Sequence, residues 1–122
     1  MPPKQYQSCI NACNACAEAC IQCAKLCQKE PNSLLMQRCI ALNLDCAEFC
    51  WLAAAYMTRD SEFCDLIRED CAEICAICAE ECAKHSVSHC QKSAEACRQC
   101  VDECLNLIVR QNQPAVMERP LH

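Results

Sequence analysis

Any chemistry in this chain must rest on cysteine. Of 122 residues 18 are Cys, and their spacing is regular. In the stretch CINACNACAEACIQCAKLC they stand at Cys9, Cys13, Cys16, Cys20, Cys23 and Cys27, in alternating steps of four and three. At about 3.6 residues per helical turn, these steps place the thiols on one stripe roughly 80° wide. Leu or Ile ordinarily fills that seam in a helical bundle; here it is sulfur. The pattern returns at Cys39, Cys46 and Cys50, at Cys64, Cys71, Cys75, Cys78 and Cys82, and at Cys90, Cys97, Cys100 and Cys104. On the second helix the seam skips a cysteine at Leu42 or Asn43, and on the third at Ile67 or Arg68.

Three uses for this sulfur compete. Disulfides suit small secreted domains, but CxxC and CxxxC pairs on one regular helix face do not readily reach disulfide geometry. An iron–sulfur cluster is wrapped by a compact Cys-x2-Cys loop, whereas these cysteines run straight along a helix. Metal held by thiolates remains. Eighteen buried thiolates cannot stand unpaired in a core of this size. Zn²⁺ in Cys₄ sites leaves each site at about −2. Cu⁺ favours thiolates and accepts two or three of them, so bridging sulfurs give one ion per sulfur, a neutral core and a capacity on the order of 18 ions. A general thiolate buffer for Zn(II) or Cd(II) is the alternative, and a disulfide-stabilised structural helical protein a more distant one.

The elements that must position the thiols follow from the same spacing. Gly is absent and Ala, Leu, Glu, Gln and Lys are abundant, so helix propensity is high throughout. Pro31 and Asn32 break the first helix, expected from about Lys4 to Lys29. The second is expected over Ser33 to Thr58, capped by Asn32 or Ser33. The third should open at Asp60 or Ser61 and end near Lys84, and the fourth should run from Ser86 to about Gln111. Short connections make neighbours antiparallel, which predicts an all-α, up-down-up-down four-helix bundle with a cysteine-lined core. It forms one domain over residues 1–112, and 113–122, with Pro114 and Pro120, reads as a loose tail. Threading the bundle gathers Cys27, Cys39, Cys82 and Cys90 at one end with Met36, His85 and His89, and Cys9, Cys50, Cys64 and Cys104 at the other with Met57.

Taken together, CINACNACAEACIQCAKLC, CIALNLDCAEFC, CDLIREDCAEICAICAEEC and CQKSAEACRQCVDEC resemble the cytosolic bacterial copper storage proteins, a family of cysteine-rich four-helix bundles. The resemblance covers about Cys9 to Cys104. It implies Cu(I) storage and sequestration, many ions per chain, with all eighteen cysteines as ligands. It also implies a homo-oligomer, expected to be a tetramer. His85, His89 and Met36 would sit at the copper-admitting end. Exported relatives carry a twin-arginine signal; MPPKQYQSCIN shows neither that nor an apolar h-region, so a cytoplasmic place is expected, with cytosolic copper chaperones as plausible partners.

Several residues admit a plainer role. His85 and His89, four apart, have metal-clip spacing, yet each can simply favour a helix end. Met57 reads as a core plug, and Asn43 as a hydrogen-bond partner for a thiolate or a neighbouring backbone group. Ile40, Leu44, Trp51 and Ala55 form a second apolar stripe on the second helix, read as a subunit contact. Met117 and His122 fall in the tail, and no role is expected of them. The acidic residues, among them Glu18, Asp45, Glu81 and Asp102, are expected on solvated faces. No Ser-His-Asp order, Gly-rich loop or HExxH points to an enzyme. No basic run points to nucleic acid, and no stretch of about 18 apolar residues suggests a membrane span. The formal net charge is −5.

Overall fold

The computed structural model describes residues 3–111, with side chains to 107. The expected tail, with Met117 and His122, and the domain boundary before it lie outside the described residues. Four α-helices account for nearly all of the rest: α1 (Gln7–Cys27), α2 (Gln37–Thr58), α3 (Cys64–Ala83) and α4 (Ser88–Gln111). They pack in the order α1–α2–α3–α4 around the axis, leaving α1 and α3, and α2 and α4, as diagonal pairs. Cross-helix sulfur contacts fix the directions. Cys9 meets Cys104, Cys16 meets Cys97 and Cys27 meets Cys90, so α1 and α4 are antiparallel. Cys39 meets Cys82 and Cys46 meets Cys75, so α2 and α3 are too. The up-down-up-down bundle is as expected.

Helix ends differ in detail from expectation. A 3-10 turn over Lys4–Tyr6 precedes α1, and another over Ser33–Met36 precedes α2. Asn32 makes no side-chain cap; its carbonyl accepts from the Leu35 N–H at 2.9 Å, which winds this turn tighter than an α-helix. At the far end of α2, Asp60 adopts φ 53°, a left-handed conformation that Asp tolerates better than most residues. The Ser61 N–H then returns to the Tyr56 carbonyl at 2.9 Å. Ser61 Oγ accepts from the Phe63 N–H, so α3 opens at Cys64 rather than at Asp60 or Ser61. The α4 start moves from Ser86 to Ser88, because Gln91 Nε2 donates to the His85 carbonyl at 2.6 Å and holds the connection as a turn.

The core has an unusual make-up. All the cysteines are buried, interleaved with Ala17, Ala47, Ala53 and Ala94 at no exposure. Small side chains let the helices approach until their sulfurs touch. Larger groups close the ends: Tyr6, Met57 and Leu107 at one, Met36 at the other. Met57 is the core plug the sequence suggested. On the outer stripe of α2, Leu44 and Trp51 are 42% and 48% exposed, whereas Ile40 packs against the core. By length and mean hydropathy (1.2) the segment 33–58 passes as a candidate membrane span, which composition by eye did not suggest. Only 39% of its 18-residue apolar stretch is buried; Cys39, Cys46, Cys50, Ala47 and Ala53 face the core, while Leu44 and Leu52 lie on the outer side.

Ala47 sits fully buried beside Cys46, where an added isobutyl group has no space. Ala47→Leu is expected to destabilise the reduced protein by about 1–3 kcal/mol in urea unfolding; an unchanged midpoint would show that the helices are not in close contact there.

Candidate metal centre

The thiols form one column along the axis. Every cysteine except Cys64 has another sulfur within 4.0 Å, the closest pairs being Cys9–Cys104 and Cys46–Cys75 at 3.4 Å. All are free thiols. Such separations exceed the S–S bond of about 2.05 Å and suit sulfurs sharing an ion. Five four-cysteine sets arise with all sulfurs within 4.8 Å of one another: Cys13/Cys71/Cys100/Cys104, Cys50/Cys71/Cys75/Cys100, Cys16/Cys46/Cys50/Cys75, Cys16/Cys20/Cys46/Cys97 and Cys23/Cys27/Cys39/Cys90. The first four overlap. Cys16, Cys46, Cys50, Cys71, Cys75 and Cys100 each belong to two sets, so ions in neighbouring sets must share sulfur.

Polar side chains occupy the seam positions that lack sulfur. Asn43 is fully buried and Leu42 is not, which settles the choice on α2. Its Nδ2 donates to the Cys39 carbonyl at 2.7 Å and to Cys82 Sγ at 3.1 Å, so it serves both backbone and thiol. Its Oδ1 accepts from Ser93 Oγ at 2.6 Å. Sequence reasoning missed Ser93. The seven-residue step from Cys90 to Cys97 was the available signal, because it leaves one seam position on α4 without sulfur. On α3 that position is Arg68, fully buried, paired with Asp65 and lying 5.2 Å over the Tyr6 ring.

The two ends are unlike. Cys23, Cys27, Cys39 and Cys90 form the outermost set at the end carrying Met36, which is buried, and His85 and His89, whose side chains are 17% and 14% exposed. The histidines do not form a helical i,i+4 clip, because α4 begins only at Ser88. His85 Nε2 lies 3.2 Å from Glu81 Oε2, and His89 Nε2 lies 3.9 Å from Glu30 Oε1. Glu81, expected on a solvated face, is instead buried, since Arg38, Lys84 and His85 converge on its carboxylate. Burial alone would raise its pKa, but the hydrogen bonds from His85, Arg38 and Lys84 outweigh it and hold the carboxyl below the usual 4.5.

At the other end the expected grouping changes. Cys50 sits farther along the axis, 3.6 Å from Cys75 and 3.8 Å from Cys71. Cys64 stands apart from the column and donates to the Tyr56 carbonyl at 3.2 Å.

Comparison with known proteins agrees with this picture. The Csp family model, described as copper storage protein, matches residues 3–109. The uncharacterized cysteine-rich protein YhjQ of Bacillus subtilis is 40% identical over 105 residues, covering 85% of this chain and 97% of that protein. The structure of the Cu(I)-bound copper storage protein BsCsp3 superposes with a TM-score of 0.82 at 39% identity, covering 84% of this chain and 97% of that one. That of a cytosolic copper storage protein from Streptomyces lividans, with five coppers, gives 0.84 at 36% identity, covering 87% and 93%.

Proton sharing within the column is uneven. Hydrogen bonds from Cys104 and then Cys13 hold the Cys9 thiol down to about 5. The Cys16 thiol, donating to Cys97, contributes most to lowering Cys97 to about 6. Desolvation pushes Cys90 up to about 12, and burial likewise raises Cys64. For Cys90 the unfolded chain ionises near 9.0 while the folded thiol keeps its proton to about 12, so its stabilisation is whole below the first value and lost through the second. Cys9 has the opposite sign, its contribution growing as pH rises from about 5 to 9.0. The reduced, metal-free protein is therefore expected to show a melting temperature that falls between pH 9.0 and about 12, followed by circular dichroism under anaerobic reductant. A flat profile over that window would mean that the thiols are not buried in protonated form.

Proposed function

We propose, from the premise that this chain belongs to the copper storage protein family, that its axial thiols take up and store Cu(I). The observation that carries the reading is the overlap of the four-sulfur sets. A single set suits a tetrahedral Zn²⁺ with four thiolates of its own, but adjacent sets share sulfurs, so filling the four overlapping sets would bring only four Zn²⁺ to ten thiolates. Cu⁺ with two or three bridging thiolates uses the same sulfurs at one ion each and leaves the axis close to neutral. Each ion admitted displaces a thiol proton, so loading is linked to pH.

The polar, partly buried end at His85 and His89 is the proposed inlet, with Met36 as a soft donor just inside it. The other end, closed by Tyr6, Met57, Leu107 and Arg68, offers less access. The proposed role is binding and holding of the ion, not catalysis. The cytosol is the proposed place, supported by the Streptomyces lividans relative being described as cytosolic. A homo-oligomer, a tetramer by the family resemblance, is supported by exposed Leu44 and Trp51, and copper chaperones are proposed donors or acceptors.

Anaerobic titration of the reduced protein with a Cu(I) chelator complex is the test. Saturation is expected near one ion per sulfur, on the order of 17 or 18, with Zn²⁺ displaced by modest Cu(I) activity. Because Cys64 stands apart from the column, Cys64→Ser should lower the endpoint by no more than about one ion. Saturation of the native chain at about two or three ions, with the remaining thiols still reactive, would reject storage.

A further inference from the structure

At one level the sulfur column narrows to a single linking thiol, Cys78. Asn43 on α2 and Ser93 on α4 belong to diagonal helices, so the 2.6 Å hydrogen bond between their side chains crosses the axis itself. Both residues are fully buried. Their protons are accounted for. The Ser93 hydroxyl gives its one hydrogen to Asn43 Oδ1, so the contact with Cys20 Sγ at 3.5 Å is donated by the thiol. The Asn43 amide gives one hydrogen to the Cys39 carbonyl and the other to Cys82 Sγ. Breaking the crossbar would leave a buried amide oxygen unpaired, which is costly.

On the inlet side of the crossbar lie Cys23, Cys27, Cys39, Cys82 and Cys90. On the other side a longer run extends from Cys20 and Cys97 to Cys9 and Cys104. Among the described residues, no sulfur contact within 4.0 Å joins the two runs. What remains is a path along the α1–α3 diagonal past Cys78. Its thiol lies 3.9 Å from Cys82 and interacts with Cys20 and Cys46 on the deep side. An amide and a hydroxyl are hard, neutral donors and poor stations for a soft monovalent ion.

We propose that the Asn43–Ser93 hydrogen bond is a partition that divides the column into a small outer store and a larger deep store, and sets the order in which they fill and empty. It rests on the storage reading above and deepens it. Ions reach the deep store only by passing Cys78, so the outer thiols exchange first and the deep ones follow at a separate rate. Ser93 and Asn43 are positioning residues: they act by interrupting the file of thiolates, not by binding the ion.

The test is removal of Cu(I) from the loaded, full-length protein by excess chelator, followed by absorbance of the chelator complex. Two phases are expected, the faster one smaller. Ser93→Ala should speed the slow phase several-fold, and Ser93→Cys, which makes the column continuous, should merge the two. A single phase in the native protein overturns the partition. So does a slow phase unchanged in Ser93→Ala whose circular dichroism is native; should that variant not fold, the same criterion applies to Ser93→Cys. If the chain takes up no copper, the storage reading fails, while the partition is still read in the metal-free protein. Iodoacetamide with peptide mapping should then label Cys23, Cys27 and Cys90 ahead of Cys16 and Cys100, and Ser93→Ala should narrow that gap. Equal labelling in the native protein would overturn the partition on its own.

Discussion

A buried thiol faces a strict choice, and the whole bundle depends on how it is resolved. In a dry interior it must keep its proton or exchange it for a cation, because an isolated thiolate is too costly there. With the column cysteines stacked at 3.4 to 4.0 Å, each sulfur except that of Cys64 has neighbours that can share either a proton or an ion. The column is thus a hydrogen-bonded array of sulfurs, and the proposed filling would exchange its protons for cations.

Helix periodicity makes the array possible. Steps of three and four keep sulfur on one face for the full length of α1, and antiparallel packing sets each layer against its counterparts on α2, α3 and α4. Small flanking residues such as Ala17, Ala47 and Ala94 bring the backbones close enough for sulfurs on different helices to meet. Bulk is confined to the ends, where Tyr6, Met57 and Leu107 close one mouth without breaking the column.

Much of this could be read in the sequence, because the pattern that specifies the fold also specifies the site. The seam predicted the helices, their number and the antiparallel bundle, and the charge of many buried thiolates favoured Cu(I). What escaped was set by contacts that spacing alone does not encode. Glu81 follows a surface pattern yet is buried, because Arg38 from α2 and His85 from the following turn reach it. Cys64 has seam spacing yet leaves the column, because the left-handed Asp60 delays α3 and aims its first thiol at the Tyr56 carbonyl. Ser93 went unnoticed because a gap in a pattern is quieter than the pattern itself. Only the folded bundle, with α4 diagonal to α2, shows that it faces Asn43.

The close spacing of the sulfurs has a consequence for how such a reservoir communicates. Ligands that already stand at sharing distance before any ion arrives ask little rearrangement of the helices when they fill. The outer faces, including Leu44 and Trp51, then look alike whether the interior is vacant or crowded. A molecule touching the sides of the bundle gains no gauge of its contents from them. If ions leave at the histidine-bearing end, as proposed, whatever draws on the supply would sense its level there, by how readily an ion comes away.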